Sequence, residues 1–426
     1  MRRVAVSGIG VVSPLGNDVD TLFAAARAGR SAIHRLDIPF ASRLAAPLAA
    51  TSRLEPGEPP EGERLDRAQA RMLDRYSRFA LHAANGAVAD ADDALANIDP
   101  ARAGVFLGTG MGGTLSMDEG YRTLYEDGSD RIKPFTVLLG MHNAAAAWIG
   151  MAHGLAGPAL TYSTACSSAT VAIGEAWVRV ARGELDVALA GGAEAPLSPG
   201  SLKAWEALHT LAAIDERDPS ASCRPFSRDR SGMVLAEGAA MLLIEPLERA
   251  LARGARVHGE ILGCGLTNDA THITRPSVAG QAAAMRAALD AAGLDPAEID
   301  AINAHGTGTE ANDRTETAAV REVFGARAEA IPISATKSMH GHLLGAAGAL
   351  ECVLALQAMR HAVALPTMHL GEPDPECDLD YVPNAAREGV AAGTMLSSSF
   401  AFGGTNAVLA LGIGSGPEAT RIDRHA

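Results

Sequence analysis

Short apolar runs alternate along the chain with longer stretches whose apolar positions recur at intervals of three and four residues. The runs VAVSGIGVV (4–12), AGVFLGTG (103–110), DVALAGGAEA (186–195), AAMLLIEPL (239–247) and DAINAHG (300–306) are mostly apolar, not alternating. Strands of that kind are covered on both faces. Between them, SRFALHAANGAVADA (77–91) and GQAAAMRAALDAAG (280–293) carry helical spacing. The pattern predicts an α/β fold with helices outside a buried sheet. The segment 44–66, rich in Pro, Gly and Glu, breaks both periods and reads as a surface excursion.

The pattern also repeats. NIDPARAGVFLGTG (97–110) and GLDPAEIDAINAHG (293–306) share a D-P-A turn, an apolar strand and a glycine-bearing end. Later in each half a small-residue turn opens a helix, in TACSSATVAIGEAWVRVARGE (164–184) and in SMHGHLLGAAGALECVLALQAMR (338–360). Two similar halves would meet about a pseudo-twofold axis. Chance similarity between two Ala- and Gly-rich stretches is the alternative.

Composition narrows the class. At 426 residues the chain exceeds one ordinary core, and 47% hydrophobic with 20% charged residues excludes a disordered protein. A formal net charge of −14 argues against a broad nucleic-acid surface. Five cysteines (166, 223, 264, 352 and 377) lack CxxC spacing, so neither a zinc site nor a disulfide framework is suggested. A reducing compartment, the cytoplasm, is expected. The opening MRRVAVSGIGVVSP is glycine-broken and stopped by Pro14, a first strand and not an export signal. No apolar stretch reaches the roughly 20 residues of a membrane span.

Candidate chemistry begins at Cys166. ALTYSTA before it reads as a strand and SSATVAIGEAWVRVARG after it as a helix, so the thiol lies at a helix N-terminus, where a thiolate is favoured. A small buried hydrophobe is the other reading, and it is preferred for Cys223, Cys264, Cys352 and Cys377. His305 in NAHGTGT and His342 in SATKSMHGHLLGAAGA stand in glycine-rich settings at a strand end and at a helix start. Lys337 precedes His342, and Asp313 and Glu316 follow His305 as potential counter-charges. In SSSFAFGGTNAVLAL (397–411), Gly403 and Gly404 permit a loop that aims a main-chain N–H at a developing oxyanion.

Four motifs, TACSS (164–168), NAHGTGT (303–309), ATKSMHGHLLGAAGALE (335–351) and SFAFGGTN (399–406), together resemble the β-ketoacyl-[acyl-carrier-protein] synthases of the thiolase-like superfamily. The elongating type with a Cys-His-His triad is the nearest in pattern. The resemblance implies duplicated α/β halves in a five-layered α-β-α-β-α arrangement. It divides the chain into 1–255 with the nucleophile, 256–412 with both histidines, and a tail, 413–426. It implies that Cys166 accepts an acyl chain, with the N–H groups of Cys166 and Phe402 as oxyanion hole. His305 and His342 then stabilise the enolate formed as malonyl-carrier protein loses carbon dioxide. Lys337, paired with Glu316, sets the electrostatics, and Asp313 supports them. Thr307, Thr309 and Phe400 meet the substrate, Phe402 gates the acyl pocket and Met111 lines it. Asn303, Glu351 and Ser397 match positions of a structural monovalent cation.

No cofactor is expected beyond the phosphopantetheine that substrates carry. Acyl-carrier protein is the implied partner, with a homodimer or a heterodimer with a second synthase-like subunit. For so acidic a chain, Arg64, Arg67, Arg71, Arg75 and Arg78 are the candidate docking patch. Ala401 replaces a usual glycine, and His340 stands where threonine or asparagine is usual. A thiolase would want a second cysteine near SFAFGGTN, and a chain-length-factor subunit would lack Cys166.

Overall fold

The computed structural model describes residues 1–54, 69 and 71–413. Its main sheet contains β1 (Val4–Val12), β4 (Ala103–Gly108), β5 (Ala159–Tyr162), β6 (Val187–Glu194) and β7 (Gly238–Pro246) from the first half. The second half adds β8 (Gly259–Asn268), β9 (Ala301–Asn303), β10 (Ile333–Ser334), β13 (Thr394–Phe400) and β14 (Thr405–Gly412). Two small antiparallel pairs, β2 (Ile33–Arg35) with β3 (Leu48–Ala50) and β11 (Val363–Ala364) with β12 (Arg387–Glu388), lie apart.

The strand order exposes the duplication. The first half runs β1-β7-β6-β4-β5 and the second β8-β14-β13-β9-β10. In each half the first two pairings are antiparallel and the last two parallel. A short antiparallel contact, Val4 with Ile261 through Val6 with Gly259, joins the halves into one ten-stranded sheet.

Helices cover both outer faces and fill the space between the half-sheets. The helix Arg75–Asp90 packs Tyr76, Phe79 and Ala83 against Val105, Leu189 and Leu243. The helix Val278–Ala292 does the same against Ile302, Leu396 and Val408. Between the halves lie Ser168–Ala181 and Ala347–Arg360, in one core with Val6, Leu242 and Leu409. This is the expected five-layered arrangement. Every residue from Ala347 to Met359 is buried, which is why that helix lacks a polar stripe. The central packing is close enough that a Cβ at Gly348 would lie 2.0 Å from Thr170 Oγ1.

The expected strands and helices agree with these elements to within a few residues, and the turns differ more. The first central helix begins at Ser168, not at 164, after a 3-10 turn over Ala165–Ser167. The second begins at Ala347, so His342 precedes the helix that it was expected to open. Residues 55–66 of the expected excursion, Arg64, Arg67 and nearly all of the 413–426 tail lie outside the described residues. Arg75 is not a docking residue: it binds Glu237 at 2.7 and 2.8 Å and covers the Phe79 ring. Among the described residues no helix is long and apolar enough to cross a membrane.

Candidate active site

The segments after β4, β5, β9, β10 and β13 carry the candidate residues. After β5 the chain turns sharply, with Ala165 in the left-handed region at φ 51°. A residue with a Cβ adopts that conformation at a cost, and the surroundings must hold it. Two serines do so. Ser168 Oγ donates to the Ala165 carbonyl at 2.6 Å and accepts the Thr164 N–H at 2.9 Å. Ser167 Oγ donates to the Thr164 carbonyl at 2.9 Å. The second half repeats the turn: Leu344 has φ 46°, a 3-10 turn spans Leu344–Ala346, and Gly345 stands in its middle as Cys166 does in the first.

The thiol and both histidines converge. Cys166 Sγ lies 3.1 Å from His342 Nε2, and the His305 and His342 rings meet edge to face at 5.4 Å between centroids. One ligand-capable atom from each of the three lies within 4.8 Å of the others. Such a donor set also suits a thiophilic divalent ion. The hydrogen bonds of the far ring atoms set the tautomers. His342 Nδ1 accepts the Leu344 N–H at 3.2 Å, and His305 Nδ1 faces the Lys337 ammonium at 3.3 Å. Both Nδ1 atoms therefore act as acceptors, and both Nε2 atoms carry the proton. Burial, and then the Lys337 charge, hold both imidazoles well below the usual histidine range. They are two neutral N–H donors.

Lys337 is fully buried, donates to the His305 carbonyl at 2.7 Å and forms a buried ion pair with Glu351. Its expected pairing with Glu316 is thus corrected. Glu316 instead accepts the N–H groups of His305 at 2.7 Å and Gly306 at 2.9 Å, and so holds the loop. Asp313 is not a counter-charge to His305 either. It accepts the Phe226 N–H at 2.9 Å and pairs with buried Arg230 at 3.3 Å. His340 lies next to the site but points to Thr336 Oγ1 at 3.0 Å, bracing the short helix Lys337–His340.

Helix position does not leave Cys166 ionised. Burial pushes its thiol up to about 12, against the favourable pull of Lys337, with Glu194 and Glu351 adding to the rise. The expectation of a resting thiolate is corrected, because desolvation outweighs the first-turn dipole. Glu194, at the end of β6, is a residue that the sequence did not single out. Its buried carboxylate accepts the N–H groups of Gly110 (2.6 Å), Met111 (3.0 Å) and Gly345 (2.9 Å), and the Thr109 hydroxyl (3.1 Å). It ties the loop after β4 to the turn that follows His342.

A cavity of about 270 Å³ reaches these groups. Cys166, His305 and His342 form its buried end, with Thr307, Thr309, Phe400 and Phe402 in the wall. In the loop after β13, Gly403 and Gly404 take φ of 88° and 78°, whereas Ala401 stays outside the left-handed region and needs no glycine. The N–H groups of Ala401, Gly403 and Gly404 bond Thr405, Ile273 and Ala401 carbonyls. Phe402 stacks on Trp205 at 6.2 Å, and the Trp205 indole N–H donates to Met111 Sδ at 3.4 Å. Met111 thus lies behind Trp205 and not in the wall of this cavity. Asn303 Nδ2 reaches Ser397 Oγ at 3.5 Å, and Glu351 Oε2 has no partner among the described residues. A buried, unpartnered carboxylate oxygen is the one feature of these three residues that suits a cation.

Comparison with known proteins agrees with this geometry. The family model "Beta-ketoacyl synthase, N-terminal domain" matches residues 1–250, and "Beta-ketoacyl synthase, C-terminal domain" matches 258–371. Nodulation protein E of Rhizobium meliloti (strain 1021) is 44% identical over 409 residues, 96% of this chain and 98% of the relative. The 3-oxoacyl-[acyl-carrier-protein] synthase 2 of Staphylococcus aureus (strain N315) is 39% identical, covering 96% and 97%. A β-ketoacyl synthase structure from Burkholderia phymatum STM815 superposes with TM-score 0.89 at 36% identity, covering 97% and 100%. The ishigamide ketosynthase/chain length factor gives 0.88 at 35%, covering 97% and 99%. With a nucleophile elbow, two imidazole donors and both family models in register on one duplicated fold, the chain belongs to the β-ketoacyl synthase family.

Proposed function

We propose that this condensing enzyme joins a malonyl-[acyl-carrier-protein] to an acyl chain held on Cys166, giving a β-ketoacyl thioester two carbons longer. One observation carries the residue roles: both Nδ1 atoms are engaged, so two neutral Nε2–H donors flank the thiol.

In the first step the Cys166 sulfur attacks the acyl thioester carbonyl. The carbon–sulfur bond to the pantetheine arm breaks, and the Cys166 proton leaves on the pantetheine thiol. The Phe402 N–H, the one in its loop whose neighbours are all engaged, and the Cys166 N–H receive the oxyanion. In the second step the malonyl thioester oxygen lies between the two Nε2–H groups. Carbon dioxide departs, its bonding electrons form the enolate, and the enolate carbon attacks the acyl carbonyl while the bond to Cys166 breaks. The sulfur leaves as a thiolate and takes a proton from solvent to restore the resting thiol. Neutral donors suit this step, because a cation beside the malonyl carboxylate would stabilise the ground state that must be lost. Lys337, neutralised by Glu351, holds His305 in its tautomer without offering that cation. A monovalent cation at Asn303, Glu351 and Ser397 would take no part in bond making.

A thiolase reading is disfavoured, since Cys166 is the one cysteine among the cavity-lining residues described. A chain-length-factor reading is disfavoured by the presence of that thiol. For the partner, β5 is an edge strand that carries exposed Leu160, a surface suited to a second synthase-like subunit. Five free cysteines accord with a cytoplasmic setting.

Mass spectrometry after incubation with an acyl-carrier-protein thioester tests the assignment. An acyl adduct on the Cys166 peptide is expected, and an adduct elsewhere, or none, overturns it.

A further inference from the structure

The cavity has two ends of different character. At the buried end are a neutral thiol and two neutral imidazoles. The exposed rim is built by residues 269–276, and its charges can be accounted for one by one. Asp269 is consumed: its carboxylate accepts the Asn406 amide at 2.7 Å and the Ser277 N–H at 3.1 Å. His272 is turned inward on its own turn, its Nδ1 accepting the Thr274 and Arg275 N–H groups at 3.1 and 3.2 Å. The turn is fixed to the loop after β13, since the Ile273 carbonyl accepts the Gly403 N–H at 2.7 Å. Arg275 is left. It lines the cavity, is exposed, and its guanidinium has no hydrogen-bond or ion-pair partner among the described residues. Among the described lining residues it is the one permanent cation.

A malonyl thioester presents two anions to this cavity. The carboxylate must remain unpaired, because it leaves as neutral carbon dioxide. The phosphate of the pantetheine arm is permanent and gains from a fixed partner, and a guanidinium matches a phosphate in charge and in fork geometry.

We propose that Arg275 is a specificity residue at the cavity rim that binds the phosphate group at the outer end of a phosphopantetheine-linked thioester. The inference rests on the condensing reading above. The phosphate belongs either to a carrier-protein arm or to coenzyme A.

The test compares wild type, Arg275→Ala and Arg275→Lys on malonyl-pantetheine, malonyl-4′-phosphopantetheine, malonyl-coenzyme A and malonyl-carrier protein, measuring malonyl decarboxylation. Wild type should favour the phosphorylated over the unphosphorylated arm by about tenfold in kcat/KM, the scale of one charge-assisted contact. Arg275→Ala should bring that ratio to about one through KM, and Arg275→Lys should keep part of it. An unchanged ratio in Arg275→Ala overturns the proposal. A loss shared by the carrier-protein substrate assigns the phosphate to the carrier arm, and a loss confined to coenzyme A assigns it there. If wild type turns over none of the thioesters, the condensing reading fails by itself. Equilibrium binding of 4′-phosphopantetheine to wild type and Arg275→Ala then still decides the site, and equal affinity refutes it.

Discussion

Replacing Cys166 by alanine removes the atom that carries the acyl group, so the mass adduct should vanish and elongation should fall to background. Replacing His342 by alanine removes one of two donors to the enolate oxygen. Loss of one such donor typically costs about 10²-fold, and malonyl decarboxylation should fall on that scale. The thiol itself should behave as a buried group. Because burial raises its pKa to about 12, alkylation by iodoacetamide should climb steadily between pH 7 and 10, and a plateau below pH 8 would contradict the desolvation account. At this scale the reacting side chains were legible from four short motifs, but their protonation was not. Tautomers depend on Leu344 N–H and Lys337, whose distances from the rings no spacing in sequence discloses. Ser167 and Ser168 have the same standing: as letters they are small neighbours, and in space they brace a left-handed alanine.

Elements bring together what the chain separates. In sequence Lys337 stands nearer Glu351 than Glu316, and in space too its partner is Glu351, from the second central helix, and not Glu316, on the helix after the His305 loop. Glu351→Gln leaves a buried ammonium uncompensated and should destabilise the fold by about 3–5 kcal/mol in urea titration. Adding Lys337→Met should recover much of that loss, and equal instability of single and double variants would deny the pair its role. Glu194 allows a pH prediction. Burial lifts its pKa from 4.5 to about 7, against the four donors that lower it. The folded state therefore holds a proton through pH 4.5 to 7 that the unfolded chain has released. Its contribution to stability is full below about 4.5 and is lost as pH rises through about 7. Glu194→Gln should flatten that part of the melting-temperature profile, and an unchanged slope would exclude Glu194 as its source.

Over the whole molecule, the duplicated half-sheets must approach until two buried helices touch. A Cβ at Gly348 would lie 2.0 Å from Thr170 Oγ1 and 2.8 Å from Ser399 Oγ. Gly348→Val should therefore part the central layers and lower the melting temperature, and activity should fall with it, because Cys166 and His342 come from opposite halves. A similar change at exposed Gly371, where a Cβ meets nothing within 4 Å, should be neutral. The β5 edge belongs to the same scale. Leu160→Lys places charge on an exposed apolar edge, and sedimentation should show a lighter species if a second subunit covers it.

The sequence by itself determined the class of fold, the duplication and the identity of the reacting groups. Apolar runs without alternation require a sheet covered on both faces, and a thiol, two histidines and a glycine-rich loop recur in recognisable local motifs. Tertiary structure alone decided which charges pair, which nitrogens carry protons, that Cys166 rests as a thiol, that Met111 stands behind Trp205, and that Glu194 links the two halves. Motifs are local because backbone turns are local. Electrostatics depends on burial and on distance across the core, and both are settled only when the halves close on each other.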